Sequence, residues 1–242
     1  AHSNHAERPF TRSVKLSQVK MVLSLPEKLR RSRIVVLISG NGSNLQAIID
    51  ACHEGHIFGD VVAVISNESS AYGLNRAKNA GIEAVTLPHK DFPTRADYDS
   101  ALSQHIDGFE PDLIVLAGFM RILTANTVRQ YRGRIINIHP SILPLYPGLN
   151  THERALADQV STHGATVHFV TEALDGGPII LQGRVKVLDN DSEETLAAKV
   201  HVVEHQIYPK VIAWFSTGRL SMREDTALLD DTPINLRIES SD

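Results

Sequence analysis

Asn137 and His139 stand two residues apart in GRIINIH (133–139), immediately before the turn-rich stretch PSILPLYPG. On an extended strand, positions i and i+2 point to the same face. An amide N–H and an imidazole could then converge on one oxygen, the equipment for an oxyanion formed at a carbonyl carbon. An imidazole can also donate a proton near neutral pH when something tunes it. The candidate tuner is Asp175 in LDGG, where Gly176 and Gly177 mark a loop free of bulk, because a nearby carboxylate raises an imidazole's pKa. Each residue also has a plainer reading. His or Asn at a strand end is commonly a satisfied turn residue, and Asp before Gly-Gly a turn former.

A second group is SGNGSN (39–44), between an apolar run and an amphipathic segment. Backbone N–H groups at such a strand-to-helix crossover can receive an anion. Gly40 and Gly42 fit the first two glycines of a dinucleotide fingerprint, but position 45 is Leu and the next strand ends in Ser66-Asn67. Both features count against NAD. A terminal monophosphate held at Gly42, Ser43 and Asn44 fits better. The competing reading is a tight turn with Ser43 capping the helix and Gln46 completing the box.

Other chemistries are less well supplied. There is no G-x-S-x-G elbow, and Cys52 falls on the apolar face of its helix, as a small buried hydrophobe would. HVVEH (201–205) matches H-x-x-E-H, so His201, Glu204 and His205 could begin a zinc site, or could be the polar flank of a helix. A third ligand would have to come from elsewhere, and no metal is expected.

The elements that must position these residues are legible from Arg33 onward. RIVVLIS, DVVAVISN, IEAVTLP, DLIVLAGF and GRIINIH are apolar runs of strand length. Between them Leu45, Ile48, Ile49 and Cys52 give a helical stripe, AYGLNRAKNAG a helix ended by Gly81, and helices are expected over about 94–106 and 124–131. Alternating strand and helix predict a doubly wound, Rossmann-like, mostly parallel sheet. ATVHFVTEA and GPIILQGRVKVL, separated by LDGG, read as an antiparallel extension in the C-terminal half. Asp191 with Glu194 resembles a capping box opening a long helix whose stripe is Leu196, Val200, Val203, Ile207, Val211 and Trp214. Pro209 is expected to kink or divide that helix.

The expected organisation is a single α/β domain over 33–220, a poorly ordered extension over 1–32 and a peripheral tail over 221–242. The 242 residues carry a formal charge of −4, with eight Lys/Arg against two Asp/Glu among residues 1–33. That basic stretch holds Glu7 and Glu27 and no long apolar run, unlike a targeting segment. The overall acidity gives no reason to expect nucleic acid, and no apolar run approaches the ~20 residues of a membrane span. One cysteine excludes an intrachain disulfide and suits a reducing cytoplasm.

Taken together, LISGNGSNLQAIIDAC, LAGFMRIL, INIHPSILPLYPG, VHFVTEALDGGPIILQ and VEHQIYP closely resemble the glycinamide ribonucleotide branch of the folate-dependent formyltransferases, over about Arg33 to Leu220. The resemblance implies transfer of the formyl group of 10-formyltetrahydrofolate, a co-substrate, to the glycyl amine of phosphoribosylglycinamide in purine synthesis. It implies Asn137, His139 and Asp175 as the catalytic trio, with His139 the proton donor, and Gly42, Ser43 and Asn44 on the substrate phosphate. Glu204 would face the ribose or glycinamide end, which competes with its metal reading. Folate would lie along Arg95, Met120, Arg121, Ile122, Leu123 and Asn137 and the loop of Thr171, Glu172, Ala173, Leu174 and Asp175. Partners would be small molecules, with a monomer or weak homodimer expected. A departure is Asn150-Thr151-His152 where many bacterial members have His-Thr-His, and no role is carried to Asn150. Alternatives from the same residues are a 10-formyltetrahydrofolate deformylase and a non-catalytic phosphate-ligand binding module.

Overall fold

The computed structural model describes residues 30–234 and the backbone of 236–239; the expected N-terminal extension lies outside them, apart from its last three residues. Five strands alternate with helices: β1 (Ser32–Ile38), α1 (Ser43–His53), β2 (Gly59–Ser66), α2 (Gly73–Asn79), β3 (Glu83–Thr86), α3 (Arg95–Gly108), β4 (Leu113–Leu116), α4 (Ala125–Gln130) and β5 (Ile135–His139). There follow α5 (Thr151–Ala157), β6 (Thr162–Phe169), β7 (Ile179–Lys186) and α6 (Glu193–Ser216). The main sheet has the order β11-β7-β6-β5-β4-β1-β2-β3, with β11 (Leu236–Glu239) parallel to β7. β6 runs antiparallel to both neighbours, and every other pairing in this sheet is parallel. The expected α/β sheet and its antiparallel extension are both present.

The unbroken apolar runs have the anticipated cause. Along β1, Ile34, Val36 and Ile38 enter one core and Val35 and Leu37 the other, and all five are fully buried. The first core lies under α1, α2 and α6, and the second under α3. Cys52 packs against the first core, where burial pushes its thiol up to about 11. Chain order reverses at β1: β2 and β3 lie to one side, and β4 and β5 to the other. The carboxyl ends of β1 and β4 therefore part at a topological switch point, where open α/β sheets take ligands. There Ser39 N–H donates to the Gly118 carbonyl at 3.2 Å, and Met120 N–H to Ser39 Oγ at 2.8 Å.

Three expectations are corrected. α6 is one 24-residue helix with Pro209 inside it, neither ended nor divided. Proline removes one ladder hydrogen bond, but Ile207, Tyr208, Val211 and Ile212 on both sides of it are fully buried, and that packing outweighs the loss. The cap of α6 sits one residue later than expected: Ser192 forms the reciprocal box with Thr195, while Asp191 pairs with Lys199. Finally, the described residues after 220 are no peripheral tail. β8 (Leu220–Arg223), β9 (Thr226–Leu229) and β10 (Thr232–Pro233) form a small antiparallel sheet whose Leu220 and Ala227 join the first core, before β11 extends the main sheet.

Candidate active site

The SGNGSN loop leaves β1 at the switch point. Gly42 takes φ 78°, and a Cβ there would lie 2.8 Å from the Gly73 Cα, so both backbone conformation and the approach of α2 require glycine. Gly42 is the N-cap of α1, without a side-chain cap or any acidic residue in the first turn. The helix start thus presents N–H groups and the positive end of the dipole, suited to an anion. Ser43 does not cap, contrary to the plainer reading: its Oγ lies 3.1 Å from His205 Nε2, and Gln46 bonds Asp50 instead. Asn44 Nδ2 donates to Glu204 Oε2 at 3.2 Å. Behind the loop, the Arg76 guanidinium donates to the Asn41 carbonyl and side-chain oxygens at 2.8 Å each.

Glu204 and His205 therefore reach α1 from α6. Glu204 is only 5% exposed. Burial pushes its carboxyl up to about 7, opposed by the Asn44 hydrogen bond. His205 is held below its ordinary value by burial, then by His201 and Arg76. No group of three or more His, Cys, Asp or Glu among the described residues is placed to hold a metal ion, and the bonds just given direct Glu204 and His205 to α1.

On β5, Asn137 and His139 continue the face on which Ile135 enters the second core. His139 Nε2 lies 2.7 Å from the Tyr146 carbonyl. A carbonyl can only accept, so Nε2 carries the proton. The other ring nitrogen, Nδ1, is 3.7 Å from Asp175 Oδ2, with the two side chains 7% and 9% exposed. That is an ion-pair separation, longer than a hydrogen bond. Asp175 takes φ 49° and accepts the Gly148 N–H at 2.9 Å. The structure thus sets Asn137 and His139 on one strand end and brings Asp175 to His139 from one loop.

The segment between β5 and α5 is pinned by side chains that sequence reasoning passed over. Thr166 Oγ1 donates to the Ser141 carbonyl at 2.7 Å and accepts Leu143 N–H at 3.1 Å. Gln182 Nε2 donates to the Leu143 carbonyl at 2.8 Å. Thr151 Oγ1 donates to the Pro140 carbonyl at 2.7 Å, and Arg154 Nη1 to the Pro147 and Leu149 carbonyls. His152 Nδ1 meets His163 Nε2 at 3.0 Å, and burial first, then each other's charge or that of nearby histidines, holds both imidazoles low, His163 at about 4.

Besides Asn137, the residues expected along folate fall on three segments: the start of α3, the stretch after β4 and the loop between β6 and β7. Met120 and Ile122 are 65% and 52% exposed after β4, the exposed apolar surface a planar ring system would cover. Leu123 packs against the second core, and the Arg121 guanidinium sits 4.4 Å over the Tyr98 ring. Glu172 pairs with Arg129 at 2.9 Å, while the Ala173 carbonyl accepts Gly176 N–H at 3.1 Å, shaping the loop that carries Asp175. Thr171 is half-buried, Leu174 is 58% exposed, and Arg95 is exposed at the first position of α3.

The formyl transferase family model matches residues 32–212. A phosphoribosylglycinamide formyltransferase of Escherichia coli (strain K12) is 57% identical over 81% of this chain and 93% of its own length. Among solved structures, the phosphoribosylglycinamide formyltransferase of Coxiella burnetii superposes with a TM-score of 0.83 at 50% identity, covering 86% of this chain and all of that one. Glycinamide ribonucleotide transformylase 1 of Symbiobacterium toebii gives 0.80 at 45% identity, covering 82% and 94%. With these groups at the carboxyl ends of β1 and β5 and likeness along most of its length, the chain belongs to the formyl transferase family.

Proposed function

We propose that the chain transfers the formyl group of 10-formyltetrahydrofolate to the glycyl amine of 5′-phosphoribosylglycinamide, as a soluble cytoplasmic enzyme of purine synthesis acting as a monomer or weak homodimer. The observation that carries this reading is that an uncapped helix start at Gly42–Asn44 and the Asn137–His139–Asp175 group both stand at carboxyl ends of one parallel run, β1, β4 and β5. The first suits a substrate phosphate, the second an oxyanion at a formyl carbon.

The amine nitrogen attacks the formyl carbon, and the carbon–oxygen π electrons move to oxygen. The Asn137 amide and the His139 imidazole stabilise that oxyanion. The carbonyl then re-forms, the bond to folate N10 breaks, and N10 leaves with a proton relayed from the attacking amine through His139, beside the Asp175 carboxylate. Gly42, Ser43 and Asn44 hold the phosphate, Glu204 receives the ribose end, and folate lies across Met120–Leu123 and 171–175 with Arg95 at its rim.

The test is loss of the formyl group from 10-formyltetrahydrofolate, followed by absorbance with and without the ribonucleotide. Turnover that needs the ribonucleotide is expected. Equal turnover without it would make the protein a deformylase, and binding without turnover a ligand-holding module.

A further inference from the structure

We infer that His168 is a positioning residue for the reaction, its Nε2 lone pair holding the Asn137 amide with the NH2 group toward the formyl oxygen. The inference rests on the proposed formyl transfer and adds to it a residue outside the catalytic trio.

β6 is the one strand of the main sheet that runs against both neighbours, and its register sets Asn137 of β5 directly opposite His168. Residues opposed across an antiparallel pair have their side chains close together on one face. His168 is 2% exposed, on the face of β6 opposite Val167 and Phe169, which belong to the first core. Its Nδ1 lies 2.9 Å from the Phe169 carbonyl. That carbonyl can only accept, so Nδ1 carries a hydrogen. Burial keeps the imidazole below its ordinary pKa and hence neutral, which leaves Nε2 with a lone pair and no proton. The atom facing that lone pair is Asn137 Nδ2, at 3.5 Å.

The consequence concerns Asn137. A primary amide has one acceptor end and one end with two donors, and the two orientations fill nearly the same space. An acceptor at His168 Nε2 meets one of the two N–H groups and repels the amide oxygen. The second N–H stays free for the developing oxyanion. With the amide reversed, Oδ1 would face that oxyanion and oppose it. A buried, neutral histidine is thus spent on choosing an amide orientation, which an apolar side chain of similar volume could not do.

The experiment compares two isosteric amides. In His168→Gln, an amide oxygen can occupy the place of Nε2 and still accept from Asn137. In His168→Asn, the amide reaches only the place of Nδ1 and satisfies the Phe169 carbonyl, leaving Asn137 without an acceptor. Loss of one oxyanion donor costs roughly 10²–10³-fold in kcat, and loss of its orientation should cost part of that. The expected result is a kcat about 10–100-fold lower in His168→Asn, both KM values within about twofold, and His168→Gln within about fivefold of the parent. A parent-like kcat in His168→Asn, equal damage in both variants, or a loss carried by KM would overturn the inference. In the unsubstituted protein, ¹⁵N NMR should show His168 with its proton on Nδ1; a proton on Nε2 would overturn it without any variant. If formyl loss proves independent of the ribonucleotide, the acceptor was wrong, and the Gln-over-Asn order in that hydrolysis still decides the role of His168.

Discussion

Changing Glu204 to Gln should stabilise the protein at alkaline pH and leave it nearly unchanged at pH 5. The Glu204 carboxyl titrates near 7 where an ordinary one would near 4.5, because it is buried on α6. Each pKa unit is worth about 1.4 kcal/mol, so ionising this group in the folded protein costs roughly 3 kcal/mol relative to the unfolded chain. The sign follows from proton counting. Between about 4.5 and 7 the unfolded chain releases the proton while the folded protein keeps it, so stability falls as pH rises across that window and stays low above it. Glutamine carries no charge at any pH, and its carbonyl oxygen can still accept from Asn44. Urea unfolding of parent and variant at pH 5, 6, 7 and 8.5 reads the difference directly, other titrations cancelling between the two. A gap growing to roughly 3 kcal/mol in favour of Gln is expected. A flat gap, or one that favours Glu at high pH, would refute the account of a carboxyl forced out of water.

Replacing His139 by Ala should lower turnover by roughly 10²–10⁴-fold, the range for a positioned acid or oxyanion donor, and near-normal steady-state rates would remove it from the mechanism. Gly42→Ala forces a Cβ onto a left-handed residue 2.8 Å from the Gly73 backbone. About tenfold weaker binding of the ribonucleotide, with the folate KM unchanged, is expected from a cost of roughly 1–2 kcal/mol. His163 is 1% exposed, and burial holds its imidazole near 4 instead of 6.5. Here stability is present above 6.5 and lost as pH falls toward 4, so His163→Gln should remove roughly 3 kcal/mol of acid sensitivity in urea midpoints compared at pH 7 and 4.5.

The parts legible in the sequence are those written in short-range periodicity. The continuous apolar runs of β1 and β4 announced strands covered on both faces, and the two-residue spacing of Asn137 and His139 put them on one side before any partner was known. Register across strands is not written locally. His168 and Thr166 stand in an alternating strand like any other, and only the pairing with β5 brings them beside Asn137 and His139. Glu204 gave contradictory signals: its charge spoke for solvent, yet it lies one turn after Val200 and one before Tyr208, both fully buried. The residues after 220 were misjudged because strands of two to four residues carry too little alternation to register. Pro209 misled for the opposite reason, a strong local rule overruled by packing.

The strand β11 seals one border of the main sheet. Along Leu181 to Arg184 it pairs with β7, whose other side is taken by β6. The match to the family model ends at residue 212, well before β11 begins. A chain shortened to the matched region would keep every residue of the proposed catalytic group, yet expose a row of free N–H and C=O groups along β7. Such borders recruit other chains. Shortening this end would therefore show itself as self-association and poor solubility before any loss of turnover.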